Sequence, residues 1–172
     1  MAVLCEGISV VVPTAVIAGR IPGGVPAYAA ATPNRTFLSD GRLTRVGFLE
    51  PGPMQEWVAA LVAAGLRAVV DGRCADLAVV DQVRGLPVPC DWLATTTDGT
   101  VRIAWLADGD PGDVVVPDGW SRGQSAALVP LDAAGAARYL SAFGDGVQAL
   151  HRPRTGERPR QPVAGAVPPP RR

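Results

Sequence analysis

Five residues able to do chemistry fall in one short stretch, VDQVRGLPVPCDWL, residues 80–93: Asp81, Arg84, Cys90, Asp91 and Trp92. Two carboxylates that share a site split their pKa values and can do acid–base work, so Asp81 and Asp91 would matter if they met across the neck of this loop. Cys90 is a nucleophile only as a thiolate, which needs a base or a positive field. Its neighbour Asp91 works against that, and Arg84 helps only if the loop folds back. The single histidine, His151, lies in a Pro/Arg-rich stretch far along the chain. The plainer readings are structural. Aspartates at strand ends form turns. Cys90 serves as a small apolar residue at a strand start, Trp92 packs into the core, and Arg84 is a solvated loop charge. Arg and Trp are also residue types that anchor protein interfaces.

Other chemistries are poorly supplied. Cys5, Cys74, Cys90 and His151 have the composition of a Cys₃His zinc site but contain no C-x₂-C pair, so neither a metal nor a cofactor is expected. The phosphate-binding patterns G-x-G-x-x-G and G-x-x-x-x-G-K-[ST] are absent, and with no lysine anywhere the second is impossible. The nearest approach to a nucleophile elbow, RGQSAA, lacks its second glycine.

The elements that must position the loop are legible as patterns. Leu4 to Val12 is rich in β-branched residues and reads as a strand stopped by Pro13. Thr14 is placed to cap a short helix through Gly19 or Arg20, and a second helical piece follows IPGG from about Pro26 to Ala31. FLSDGRLTRVGFL predicts a hairpin turned at Asp40-Gly41, because glycine accepts positive φ at no steric cost. Met54, Trp57, Val58, Leu61 and Val62 make one apolar stripe on a helix from Pro51, ended by Gly65. Asp71-Gly72 predicts a turn between two strands, Leu77 to Val80 a buried strand, and Asp98-Gly99 the turn of another hairpin. A short edge strand at Val114–Val116 and an Ala-rich helix from Asp132 to Phe143 complete the body.

At 172 residues with 48% apolar composition, the chain can bury a core without metal or disulfide. The expected organisation is one α+β domain over residues 1–150, followed by a disordered Pro/Arg-rich tail over 151–172. The fold is expected to be a largely antiparallel sheet built from hairpins, with two or three helices on one face, a ferredoxin-like core being one version. Net charge is zero, but residues 1–150 hold 10 Arg against 15 Asp and Glu, and residues 151–172 hold 6 Arg against one Glu. An acidic body does not attract nucleic acid; only the basic tail offers a weak contact of that kind. Three scattered cysteines argue for reduced thiols. ISVVVPTAVIAG is apolar, but Glu6 and the prolines and glycines of IPGGVP break the pattern of a signal peptide, and no run spans a membrane, so a cytoplasmic protein is expected.

Several stretches carry a likeness. PGG, PNRTFLSDGRLTRVGFLEP, AAGL, DLAVVDQVRG and PCDWL, between about residues 5 and 95, resemble a set of bacterial proteins of unknown function. The resemblance implies a soluble bacterial domain and a structured role for the 80–93 stretch, and it brings no catalytic residue with it. The expected function is a protein–protein binding module of the immunity or accessory type. The alternative is a small-ligand receptor or enzyme whose pocket is lined by Asp81, Arg84, Cys90 and Asp91.

Overall fold

The computed structural model describes residues 1–121. The expected helix from Asp132 to Phe143 and the tail over 151–172 lie outside the described residues, as does the end of the expected domain.

The chain opens with β1 (Ala2–Cys5) and β2 (Ile8–Pro13), then α1 (Thr14–Arg20) and α2 (Gly24–Ala31). Next come β3 (Leu38–Ser39), β4 (Leu43–Phe48) and α3 (Pro51–Ala63). The remainder is β5 (Val69–Val70), β6 (Arg73–Cys74), β7 (Ala78–Asp81), β8 (Leu93–Asp98), β9 (Val101–Leu106) and β10 (Val114–Val115). The α+β class holds, and every strand pair is antiparallel except β1 with β10.

Among the described residues the strands divide between two four-stranded sheets, ordered β10-β1-β9-β8 and β3-β4-β2-β7, plus the β5-β6 hairpin. This differs from one ferredoxin-like sheet, and the reason lies at Glu6-Gly7. The apolar run expected as one strand breaks there: Gly7 takes φ 68°, β1 pairs with β9 and β2 with β4 and β7. Residues 2 to 12 are all buried, so one stretch of chain runs through the middle of both sheets. Strands covered on both faces need no polar–apolar alternation, which is why the run looked continuous.

The hairpin turns fall where expected. Gly41, Gly72 and Gly99 hold φ values of 90°, 75° and 63°, which only glycine adopts without strain. Asp40 fastens the first turn by accepting the N–H groups of Arg42 and Leu43 at 2.8 and 2.6 Å. α3 buries Met54, Trp57, Val58 and Leu61 against β2 and β4, whereas Val62 of the expected stripe turns outward. Thr14 does not cap α1. It is the first helical residue, and its hydroxyl donates to the carbonyls of Gly41 and Arg42 at 2.9 and 3.1 Å. No helix among the described residues is long and apolar enough to cross a membrane.

Candidate functional site

The 80–93 stretch begins as the end of β7. Asp81 exchanges backbone hydrogen bonds with Gly85, both 2.8 Å, which closes a tight turn over Gln82, Val83 and Arg84. The Asp81 carboxylate fills the turn: Oδ1 accepts the N–H groups of Val83 and Arg84 at 2.9 and 2.8 Å. An aspartate spent this way is a local backbone cap.

Two further elements hold the turn. Gln82 bridges the sheets: its N–H donates to the Gly7 carbonyl, its Oε1 accepts the Gly7 N–H, both at 2.9 Å, and its Nε2 donates to the Thr100 carbonyl at 2.8 Å. Arg102 of β9 donates from Nε to the Gln82 carbonyl at 2.9 Å and from Nη2 to the Val83 carbonyl at 3.2 Å. Gly85 lets Arg102 come this close, since a Cβ there would stand 3.1 Å from its Nη1.

The far end of the loop lies beside β6. The Cys74 N–H donates to the Pro89 carbonyl at 2.8 Å. Beside it, Arg73 pairs with Asp91 in a two-pronged ion pair, with Nε to Oδ2 at 2.7 Å and Nη2 to Oδ1 closing the fork. Arg73 thereby holds the Asp91 carboxyl below the usual carboxylate range. Trp92 is half-buried against the core. Its carbonyl accepts the Ala107 N–H at 2.9 Å, and with Asp91, Leu106, Ala107 and Asp108 it lines an open groove of about 380 Å³.

The five residues singled out by sequence therefore separate into two ends of one loop. Asp81 and the Arg84 backbone belong to the turn; Cys90, Asp91 and Trp92 belong to the β6 side. Asp81 is buried in its turn and Asp91 is exposed on Arg73, so each carboxylate is committed to a different partner. Arg84 keeps a half-buried side chain and makes no ion pair among the described residues.

No family model, curated protein or solved structure matches the chain. The chemistry of the site rests on its geometry.

Cys90 is where that geometry is most informative. Its thiol is influenced by the neighbouring Cys74 side chain and by the N–H groups of Trp92 and Leu93. These lower the Cys90 pKa, Cys74 contributing most, against the opposing effects of burial and of Asp91. Asp91 alone is thus a poor guide, since its charge is occupied by Arg73. Cys74 shifts the other way, raised first by its bond to Cys90 and then by burial. Its thiol donates to the Val88 carbonyl at 3.7 Å.

Arg73 was not visible as a site residue in the sequence, and Cys74 entered only among the scattered zinc candidates. The only signal was the Asp71-Gly72 turn, which predicts the β5-β6 hairpin but not what lies beside it. Cys5 does not join the pair. It is fully buried in β1, and burial pushes its thiol up to about 11. No group of three or more potential metal ligands gathers among the described residues.

Proposed function

We propose that this chain is a small bacterial protein-binding module of the cytoplasm, with the Asp81–Asp91 loop and the β5-β6 hairpin as its contact surface. One observation supports this reading above the others. The loop is held from three directions, by Gln82 at Gly7, by Arg102 at the turn and by β6 at Pro89. A surface already ordered loses little conformational freedom on association. It presents Val83, 50% exposed at the turn, and the exposed Arg73–Asp91 pair at the other end.

The test is capture from a bacterial lysate on the immobilised full chain, read by mass spectrometry. It is run beside Val83→Asp and the charge exchange Arg73→Asp/Asp91→Arg. The exchange keeps the ion pair and inverts its surface pattern. One partner enriched by the wild type and lost by both variants supports the module. Enrichment indifferent to both variants, or none at all, overturns it.

The second reading, a small-ligand receptor or enzyme, is favoured by the groove lined by Asp91 and Trp92, which Cys90 precedes in the chain. Stabilisation by a metabolite that also slows Cys90 alkylation would select it.

A further inference from the structure

β8 is the last strand of its sheet, and it is the one long edge that the described residues leave open. The other sheet ends are short or covered: β10 and β3 span two residues each, and β7 is buried along its length. The hairpin register says which groups of β8 face outward. β8 and β9 pair without a break from Leu93 with Leu106 to Asp98 with Val101, around a two-residue turn. In such a hairpin the pair that closes the turn exchanges hydrogen bonds, and bonded pairs then alternate. Asp98, Thr96 and Ala94 therefore bond to β9, and the Ala107 N–H on the Trp92 carbonyl continues the series. The backbone N–H and C=O groups of Thr95 and Thr97 point the other way, and among the described residues no group takes them up. Thr96 and Thr97 are exposed. β8 holds no lysine, no proline and no bulge, the usual means by which an edge refuses a second strand.

We propose that β8 is a dimer edge, on which a second copy of this chain pairs antiparallel about a two-fold axis at Thr96. The strand LATTTD suits itself in that register. Thr95 of one copy meets Thr97 of the other, so each outward N–H finds an outward C=O, and symmetry repeats the exchange. Thr96 meets its own counterpart as a non-bonded pair, where Cα atoms stand about 4.5 Å apart and side chains touch. Cross-strand threonine pairs of this kind are favourable. Asp98, the one charge of the strand, lies opposite Ala94 and so does not meet its own counterpart. This self-complementarity, with no like charges brought together, selects a second copy over a foreign strand. The contact is isologous and closes on itself, so it gives a dimer and no filament. The two four-stranded sheets become one continuous sheet with the β8 pair at its middle. The pairing uses none of the Asp81–Asp91 loop, so it stands or falls apart from the docking surface on that loop.

Sedimentation equilibrium of the full chain over a concentration series tests it. The mass should rise to twice the 17.8 kDa of one chain. Amide exchange at Thr95 and Thr97 should slow over the same series. Thr97→Pro removes an outward N–H while sparing the bonds to β9, and it should leave a monomer with an unchanged circular dichroism spectrum. Thr96→Lys and Thr96→Asp each alter an exposed side chain and put like charges at the axis. Either variant alone should associate at least about tenfold more weakly, and mixing the two in equal amounts should restore the dimer. A full chain that stays monomeric up to about 1 mM overturns the proposal. So does a dimer that Thr97→Pro and the charged variants leave intact, or a mixture of the two charged variants that associates no better than either alone.

Discussion

Arg45 donates a 2.7 Å hydrogen bond from Nη2 to the carbonyl of Glu6, the residue at which the first strand leaves one sheet for the other. Its Nε donates to Ser9 Oγ at 2.9 Å and its Nη1 to the Thr36 carbonyl at 3.2 Å. The guanidinium is fully buried, and burial pulls its pKa down from the usual value. One planar fork thus serves three acceptors.

Removing that fork should therefore be costly. Arg45→Met leaves two carbonyls and a hydroxyl without their donor, and a loss of about 3–5 kcal/mol is expected, as when one member of a buried charged network is deleted. Urea unfolding measures it. Gly47→Ala makes a companion, because a Cβ there would overlap the Arg45 guanidinium. It should cost about 1–3 kcal/mol alone. It should cost much less in the Arg45→Met background. Additive losses would show that the two residues do not touch.

Acid should weaken the fold partly through Asp76. Its buried carboxylate accepts from the Arg67 backbone N–H at 2.7 Å and from Arg67 Nε and Nη2 at 3.0 and 3.1 Å, with Arg20 at 3.6 Å. The Arg67 hydrogen bonds, with the Arg20 charge, lower its pKa despite burial. A carboxyl whose pKa is lower folded than unfolded stabilises fully above its unfolded value of about 4. That contribution is lost as pH falls from there through the folded value. Urea midpoints measured down a pH series should fall less steeply for Asp76→Asn than for the wild type.

Thiol labelling should follow position. Iodoacetamide at neutral pH is expected to modify Cys90 first, since donors from Cys74, Trp92 and Leu93 favour its thiolate. Cys5, with its thiol pushed up to about 11 and no exposed surface, should react only as fast as the fold opens. Peptide mapping over time gives the order, and early labelling of Cys5 would contradict the placement of β1.

Asp81→Ala should loosen the turn rather than the core. Two backbone N–H groups lose their acceptor, a cost of about 1–2 kcal/mol by analogy with helix caps. Because Arg84 lies within that turn, brief trypsin treatment of the native protein should cut after it faster in the variant than in the wild type. Asp81→Asn keeps an acceptor oxygen and should fall between the two.

What could be read from the sequence was mostly local. Asp40-Gly41, Asp71-Gly72 and Asp98-Gly99 announced their turns because positive φ is a property of the residue itself. The α3 stripe was legible for the same kind of reason, down to Val62, which sits at the edge of the helix face and escapes burial. Two things were hidden. Nothing marked Arg45 as buried, since nothing in a hairpin's own pattern tells that a second layer covers its other face. The meeting of Cys74 with Pro89, and of Arg73 with Asp91, depends on how a two-residue strand lies against a loop fifteen residues further on. Register of that kind is set by packing, not by either segment alone.

The break at Glu6-Gly7 also governs how the molecule must be assembled. β1 is an inner strand whose partners, β9 and β10, are synthesised long after it, so Val3 waits for Ala104 while Val10 finds Val46 much sooner. During translation the β2 sheet can zip up on the emerging chain, leaving its neighbour an open slot with one strand hanging from it. A ribosome paused before Val101 would therefore hold half a fold with an unpaired β-edge, the stage at which this chain is most exposed to adhesion with its own kind.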